Sequence, residues 1–194
     1  MPGTASRFRV ATRTALPDDL PAVVSLVRQH RAEARAEGVL TGQLPGSAAA
    51  GGFARLLADP AHCVVLAVLP GPDGDLPVGL AVLGVDPLSV LLGVPQVTVD
   101  NLVVHREHRR IGVGTALLAA AADFAGEVGA DHVVATADGH EPERLRFLGR
   151  MGFAPLTTRR IVPRETLVRA LAAWQRSRRA IPLPRRVPSL GRRP

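Results

Sequence analysis

Residues 109 to 115 read Arg-Arg-Ile-Gly-Val-Gly-Thr, two glycines set two apart beside a pair of arginines. A helix that opens here carries backbone N–H groups with no intrahelical partner at the positive end of its dipole, and such groups bind phosphate oxygens. Gly112 and Gly114 would let a pyrophosphate approach closely because a Cβ would intrude, and Arg109 and Arg110 add positive charge at the rim. The chain has no lysine, so this is not a Walker A loop. Gly112-Val113-Gly114 is followed by Leu117 where a dinucleotide fingerprint needs its third glycine. Nucleoside triphosphates and dinucleotides therefore fit poorly. Two glycines near arginines also suit a plain structural turn, so the flanking elements must decide.

Those elements form an alternating series. Residues 8–13 alternate as a first strand, the turn residues and acids of 16–20 follow, and Val23, Val24, Leu26 and Val27 recur at helical spacing. Gly, Ala, Ser and Pro dominate 38–52, which reads as a loop of the substrate-facing kind, before a short helix over 53–58 that stops at Asp59-Pro60. The apolar, β-branched runs 63–69 and 78–85 suit antiparallel neighbours, and residues 70–75 between them predict a loop longer than the tightest turns. A third strand over 97–104 leads into the glycine loop. Residues 113–128 then place Leu117, Leu118, Ala121, Ala122 and Phe124 on adjoining helical faces, with Gly129 as a stop. The strand over 132–137 must lie parallel to the one before it, because a helix joins them. A helix from Pro142 to Gly152, a last strand over 154–162 and an amphipathic helix from Arg164 to about Arg176 complete an α/β (α+β) chain with a mixed, mostly antiparallel sheet of about six strands.

At the strand-loop-helix run the sequence resembles the GNAT superfamily of acyl-CoA-dependent N-acyltransferases. Its [QR]-x-x-G-x-[GA] signature is met by Arg109, Gly112 and Gly114, and the order of elements follows the family along residues 7 to 162, including a Gly-Phe pair at Gly152-Phe153. The resemblance implies a GNAT fold and acetyl-CoA as cosubstrate. It implies that Leu102, Val103 and Val104 hold the pantetheine arm and acyl carbonyl in a cleft where the strand splays from its parallel neighbour. Arg109, Arg110, Ile111, Gly112, Val113, Gly114 and Thr115 would then hold the pyrophosphate.

Attack of an amine on a thioester needs a neutral amine, a polarised carbonyl and a proton for the departing thiolate. The backbone N–H of Val104 is a candidate for polarising the carbonyl. Asp100 matches a position where family members often carry a proton-accepting carboxylate; it reads equally as a capping or solvated acid. The usual tyrosine acid of the family's F-Y-x-x-x-G-F stretch is Leu148 here, the chain contains no tyrosine, and Glu141 stands where an asparagine is frequent. The thiolate proton must come from water, from the incoming ammonium or from a side chain such as His140, whose simpler reading is a solvated loop histidine. Two readings follow: an N-acetyltransferase acting on a primary amine by direct attack in a ternary complex, or an acyl-CoA-binding module with weak or absent catalysis and a regulatory or partner-binding role. Residues 28–58, which would shape the acceptor pocket, show no clear charge preference, so small-molecule and peptide amines both stay open.

Composition bounds the rest. A single cysteine, Cys63, precludes an internal disulfide or a cysteine-rich zinc site and reads as a small strand hydrophobe. No histidine spacing indicates a metal site, His105 and His108 falling in a loop. Trp174 reads as a packing residue of the last helix. Of the net charge of +7, six units lie in residues 177–194, leaving +1 for the remainder. We therefore expect one domain over 1–176 and an Arg/Pro-rich tail over 177–194. The tail lacks aromatics, so stacking on single-stranded nucleic acid is not indicated, and nonspecific RNA contact would come through this segment alone. No apolar run reaches the length of a membrane span, and a cytoplasmic location is expected. The family also admits a homodimer.

Overall fold

The computed structural model describes residues 10–36, 46–72, 74–91, 93–137, 142–156 and 164–179. The chain divides into two compact units, Met1–Ala154 and Pro155–Pro194. In the first, β1 (Ala11–Thr14) and a 3-10 turn at Pro17–Asp19 lead to α1 (Leu20–Ala36) and α2 (Gly46–Leu57). The hairpin of β2 (His62–Gly71) and β3 (Gly74–Val85) is followed by a short α3 (Pro87–Leu91) and by β4 (Gln96–Val104). Then come α4 (Val113–Glu127), β5 (His132–Ala135) and α5 (Pro142–Arg150). The described helix of the second unit is α6 (Arg164–Arg179), which carries Trp174 and runs past Arg176 into the segment assigned to the tail.

The sheet order is β1-β2-β3-β4-β5, antiparallel throughout except for the β4–β5 pair. Both faces of its central strands are covered, which explains their nearly continuous apolar runs. Val65, Ala67, Ala81, Leu83 and Val99 point to one face and pack with Val113, Leu117 and Ala121 of α4. Their neighbours Val64, Leu66, Leu80, Val82 and Val103 point to the other and pack with Val23, Leu26 and Val27 of α1. Gly79 lets α4 lie flat on β3: a Cβ there would sit 2.6 Å from Val113 Cγ1 and 2.9 Å from the Val103 carbonyl oxygen. The parallel β4–β5 crossover through α4 is as expected, and Gly129, at φ +68, follows the end of α4.

Three sequence-based boundaries differ. The β2–β3 connection is not a long loop, since the strands run on to pair Gly71 with Gly74. β1 pairs with β2 only over Val65–Val68, so Pro70 leaves no ladder bond unmade, and Pro77 lies beside a bulge where the register shifts between Ala67 and Val68. Residues 46–52 are helical rather than loop, because α2 starts at Gly46. There Ala48-Ala49-Ala50 favours a helix enough to carry Gly51 and Gly52, and Phe53, Leu56 and Leu57 anchor it against the α1-side core. The described sheet has five strands; Ala154, Pro155 and Leu156 are irregular, and 157–162 of the expected sixth strand lie outside the described residues.

Candidate functional site

The site begins with a bulge in β4. Leu80 pairs with Val103 but Val82 pairs with Asp100, so β4 carries an extra residue, and Asn101 takes a left-handed φ of +51 to absorb it. The bulge resets the alternation. Val99 packs on the α4 side, and after the extra residue Leu102 does so again while Val103 faces α1. The parallel partner stops at the same place. β5 pairs with β4 from Gln96 to Val99, ending with the Thr136 N–H bonded to the Val99 carbonyl at 3.1 Å. The Thr136 hydroxyl then donates to the Asp100 carboxylate at 2.7 Å, closing the fork.

Beyond the fork no described strand pairs with that edge of β4. The His105 N–H donates to the Val78 carbonyl at 2.8 Å, which makes that pair the hydrogen-bonded one and turns the N–H and C=O of Val104 away from β3. On the same edge the Leu102 carbonyl accepts a bond from Arg144 Nη2 at 2.9 Å.

The glycine loop follows directly. A single 3-10 turn at Arg106–His108 leads to Arg110 at φ +65 and Gly112 at φ +96, and α4 starts at Val113 with the Ala116 N–H bonded to the Gly112 carbonyl at 2.9 Å. The N–H groups of Val113, Gly114 and Thr115 precede that first helical bond and point out of the helix end. The two glycines have different reasons to be there. Gly112 is required by its φ, with nothing within 4 Å of an added Cβ, whereas a Cβ on Gly114 would come within 3.2 Å of the Phe147 ring, so this glycine seats α5 against the first turn of α4.

Edge and loop open into one cleft of about 870 Å³. Its walls are Leu102 and Val104 of β4, the loop and the start of α4, His30 and Glu33 of α1, Arg144 and Phe147 of α5, and Met151 just after it. Arg109 is ion-paired to Glu33, and Arg110 to Glu143 at 3.0 Å. Burial pushes Glu33 upward, but hydrogen bonds from Gln29 and Arg109, with the charges of Arg109 and His30, outweigh it and hold the carboxyl below its ordinary value. Arg146 and Arg150, one turn apart on α5, also line the cleft and form no ion pair among the described residues. The lining thus has a net positive charge and a helix N-terminus, a setting for polyphosphate.

The structure brings Leu102, Val104, Arg109, Arg110, Gly112, Val113, Gly114 and Thr115 to this cleft. Val103 points the other way into the α1-side core, and Ile111 is exposed outside the lining. Asp100 sits at the fork, bonded to Thr136, and does not line the cleft; His140 lies outside the described residues. Leu148 is buried, and Phe147 beside it faces the cleft instead. Cys63 is on β2 with its Sγ 3.9 Å from Thr14 Oγ1, away from the cleft. Sequence reasoning missed Arg144, Arg146 and Arg150; the four-residue spacing of the last two was the available signal. The sequence assigns residues 28–58, α1 included, to an acceptor pocket, but gives no sign that Glu33 pairs with Arg109, 76 residues away.

The sheet is thus mixed and forked between its parallel strands, with a glycine-started helix at the fork. The sequence model of the Acetyltransferase (GNAT) family matches residues 31–153, and the chain belongs to that family. Among solved structures it is similar to the ribosomal-protein-alanine N-acetyltransferase of Brucella melitensis biovar Abortus 2308, at 25% identity and a TM-score of 0.60 over 80% of this chain and 99% of that one. It is similar to the aminoglycoside N-acetyltransferase AAC(6')-Iy in complex with CoA, at 18% identity and TM-score 0.63 over 84% and 97%. A third is the aminoglycoside acetyltransferase meta-AAC0020 from an uncultured soil metagenomic sample, with sisomicin, at 21% identity and TM-score 0.54 over 79% and 93%. A search of curated proteins finds no match. Among the described residues no helix is long and apolar enough to cross a membrane.

Proposed function

We propose that this protein is an N-acetyltransferase that moves the acetyl group of acetyl-CoA to a primary amine by direct attack in a ternary complex. The observation that carries this reading is the β4 edge past Val99, with which no described strand pairs and which opens into the same cleft as the N–H groups at the start of α4. Acetyl-CoA fits that arrangement in parts: an amide-bearing arm for the strand edge, a pyrophosphate for the helix end and charged phosphates for arginines. When bound it supplies an acetyl group activated as a thioester.

The roles of the chain follow. The N–H groups of residues 112–115 hold the pyrophosphate, with Arg109 and Arg110 beside them. Arg146 and Arg150, which form no ion pair among the described residues, take the outer phosphate. Leu102 and Val104 align the arm along the strand, and the Val104 N–H polarises the acyl carbonyl, a donor that costs no reorganisation. Asp100, held by Thr136 at the fork outside the cleft lining, takes the proton of the attacking amine through water. His140 is a further acid-base candidate on the loop after β5.

Two of the similar structures are of aminoglycoside acetyltransferases and one is of a ribosomal-protein-alanine acetyltransferase. Aminoglycosides and alanine-starting peptides are therefore the first acceptors to test. We place the activity in residues 1–176, in the cytoplasm, with residues 177–194 as a separate basic tail. The deciding experiment is thiol release from acetyl-CoA across an amine panel, run beside calorimetric titration with CoA. Turnover with any amine supports the transferase. Tight CoA binding with no turnover supports the second reading, an acyl-CoA-binding module, which the buried Leu148 in the tyrosine position favours. No binding defeats both.

A further inference from the structure

Positive charge is not spread evenly over the chain. Residues 164–194 hold nine arginines and a single acid, Glu165, a sum of +8 against +7 for the whole protein, so residues 1–163 come to −1. The excess begins in α6. On that helix Leu167, Val168, Leu171 and Trp174 recur at the spacing i, i+1, i+4 and i+7 that makes one face, and Glu165 and Arg169 fall on the opposite side. The four apolar side chains are 46%, 50%, 49% and 56% exposed in that order, so about half of each meets solvent. A single exposed leucine is ordinary, but four large apolar side chains on one face of one helix mark a contact surface.

We propose that α6 docks this protein on the surface of an anionic lipid bilayer, lying flat with the face of Leu167, Leu171 and Trp174 at the acyl boundary. Its arginines, with those of residues 180–194, sit at the lipid phosphates. Crossing the bilayer is not at issue: the 16 residues of α6 reach only about 24 Å, and among the described residues no helix is long and apolar enough to span. A helix that lies in the interface needs an apolar face, a basic remainder and little net hydrophobicity, and α6 combines them. Residues 1–163, at −1, offer little countercharge, whereas an anionic leaflet offers a continuous sheet of it. Each planar guanidinium takes two phosphate oxygens at once. Nucleic acid presents phosphates too, but has no use for the apolar face. Residues 177–194 contain no aromatic side chain to stack on bases, while Ile181, Leu183, Val187 and Leu190 are spaced among the arginines as further apolar anchors.

Trp174 is the only tryptophan and the chain has no tyrosine, so intrinsic emission reports on α6 alone. The full chain is titrated with phosphatidylcholine vesicles containing about a third phosphatidylserine, and in parallel with pure phosphatidylcholine. With the anionic vesicles the emission should move to shorter wavelength by roughly 10 nm and be quenched by brominated acyl chains, and binding to the neutral ones should be at least about tenfold weaker. Raising the salt from about 0.1 M to about 0.5 M should release most of the bound protein. Leu171→Glu sets a charge in the apolar face and should weaken binding at least about tenfold. Arg169→Gln keeps that face and a good helix former, and should weaken it about fivefold. Emission that neither kind of vesicle moves overturns the proposal, whether a second copy covers the face, seen as a mass that grows with concentration, or poly(U) binds in place of lipid. Equal binding to both vesicles overturns it as well, as does binding that both substitutions leave unchanged. No arm involves CoA, so the acetyl-CoA reading stands or falls separately.

Discussion

Gly79→Ala adds one methyl at the point where the start of α4 rests on the sheet. The new Cβ would meet Val113 Cγ1 at 2.6 Å, the Val103 carbonyl oxygen at 2.9 Å and Leu117 Cδ1 at 3.3 Å. Two of these are side-chain ends on α4. The third is backbone of β4, paired to β3 through Leu80, and cannot withdraw without opening the ladder. Relief therefore comes from lifting the first turn of α4. Overpacking of this kind costs about 1–3 kcal/mol, and about 2 kcal/mol lowers the Tm of a unit this size by roughly 4–8 °C. The same lift moves the N–H groups of Val113, Gly114 and Thr115, so CoA should bind about three- to tenfold more weakly. Urea unfolding should show a lower midpoint at unchanged slope, and calorimetry should show the affinity loss. Val113→Ala removes the closest collision but not the carbonyl. The double variant should therefore show a coupling of at least about 1 kcal/mol without full recovery. A Gly79→Ala protein as stable as the parent, or strictly additive single changes, would refute this account of how the loop is seated.

Other substitutions probe the loop, the arginines and the charge pairs. At Gly112, where φ is +96, Asn should be tolerated better than Ala and Ala better than Val, the Ala form losing about 1–2 kcal/mol in thermal unfolding. Gly112→Glu should abolish measurable CoA binding; retained affinity would remove the loop from the cofactor site. Replacing Arg146 and Arg150 together by Ala should weaken CoA about tenfold at low salt and flatten the salt dependence of binding, without affecting a pantetheine fragment. Asp19 is held below its ordinary value chiefly by its hydrogen bonds from Arg13 at 2.6 and 2.8 Å, with the Leu16 N–H assisting and burial opposing. A depressed carboxylate stabilises the fold above its unfolded value of about 3.9 and loses that contribution as pH falls through the lower folded value. Asp19→Asn should accordingly cost about 1 kcal/mol near neutrality and flatten the acid limb of a stability-pH curve. Equal slopes in both proteins would exclude the pair as its source.

What could be read from residues alone was whatever has a local cause. The helix start at Gly112, the stop at Gly129 and the apolar runs of β2, β3 and β4 all express backbone preference or two-sided burial, and each stands within a few residues of its expected position. The β2–β3 turn and the start of α2 were misjudged because prolines and glycines were weighed as breakers without knowing that Pro70 lies beyond the reach of β1 or that Phe53 would find a core. The bulge at Asn101 was invisible for a different reason. It is defined by register against β3, and its consequence, the return of Leu102 to the α4 face, exists only once two strands are paired.

The arginines of α5 were hidden by composition. Where every cationic side chain other than histidine is arginine, three more on a short helix carry no distinction, and helical spacing predicts only that Arg146 and Arg150 share a face. That Arg144 turns inward to a strand 42 residues earlier is a tertiary fact. The sequence could show that the tyrosine was missing, because Leu148 occupies a position defined by the Gly-Phe pair after it. It could not show which side chains surround the buried Leu148, because contacts such as that of Arg144 with the Leu102 carbonyl join residues far apart in the chain.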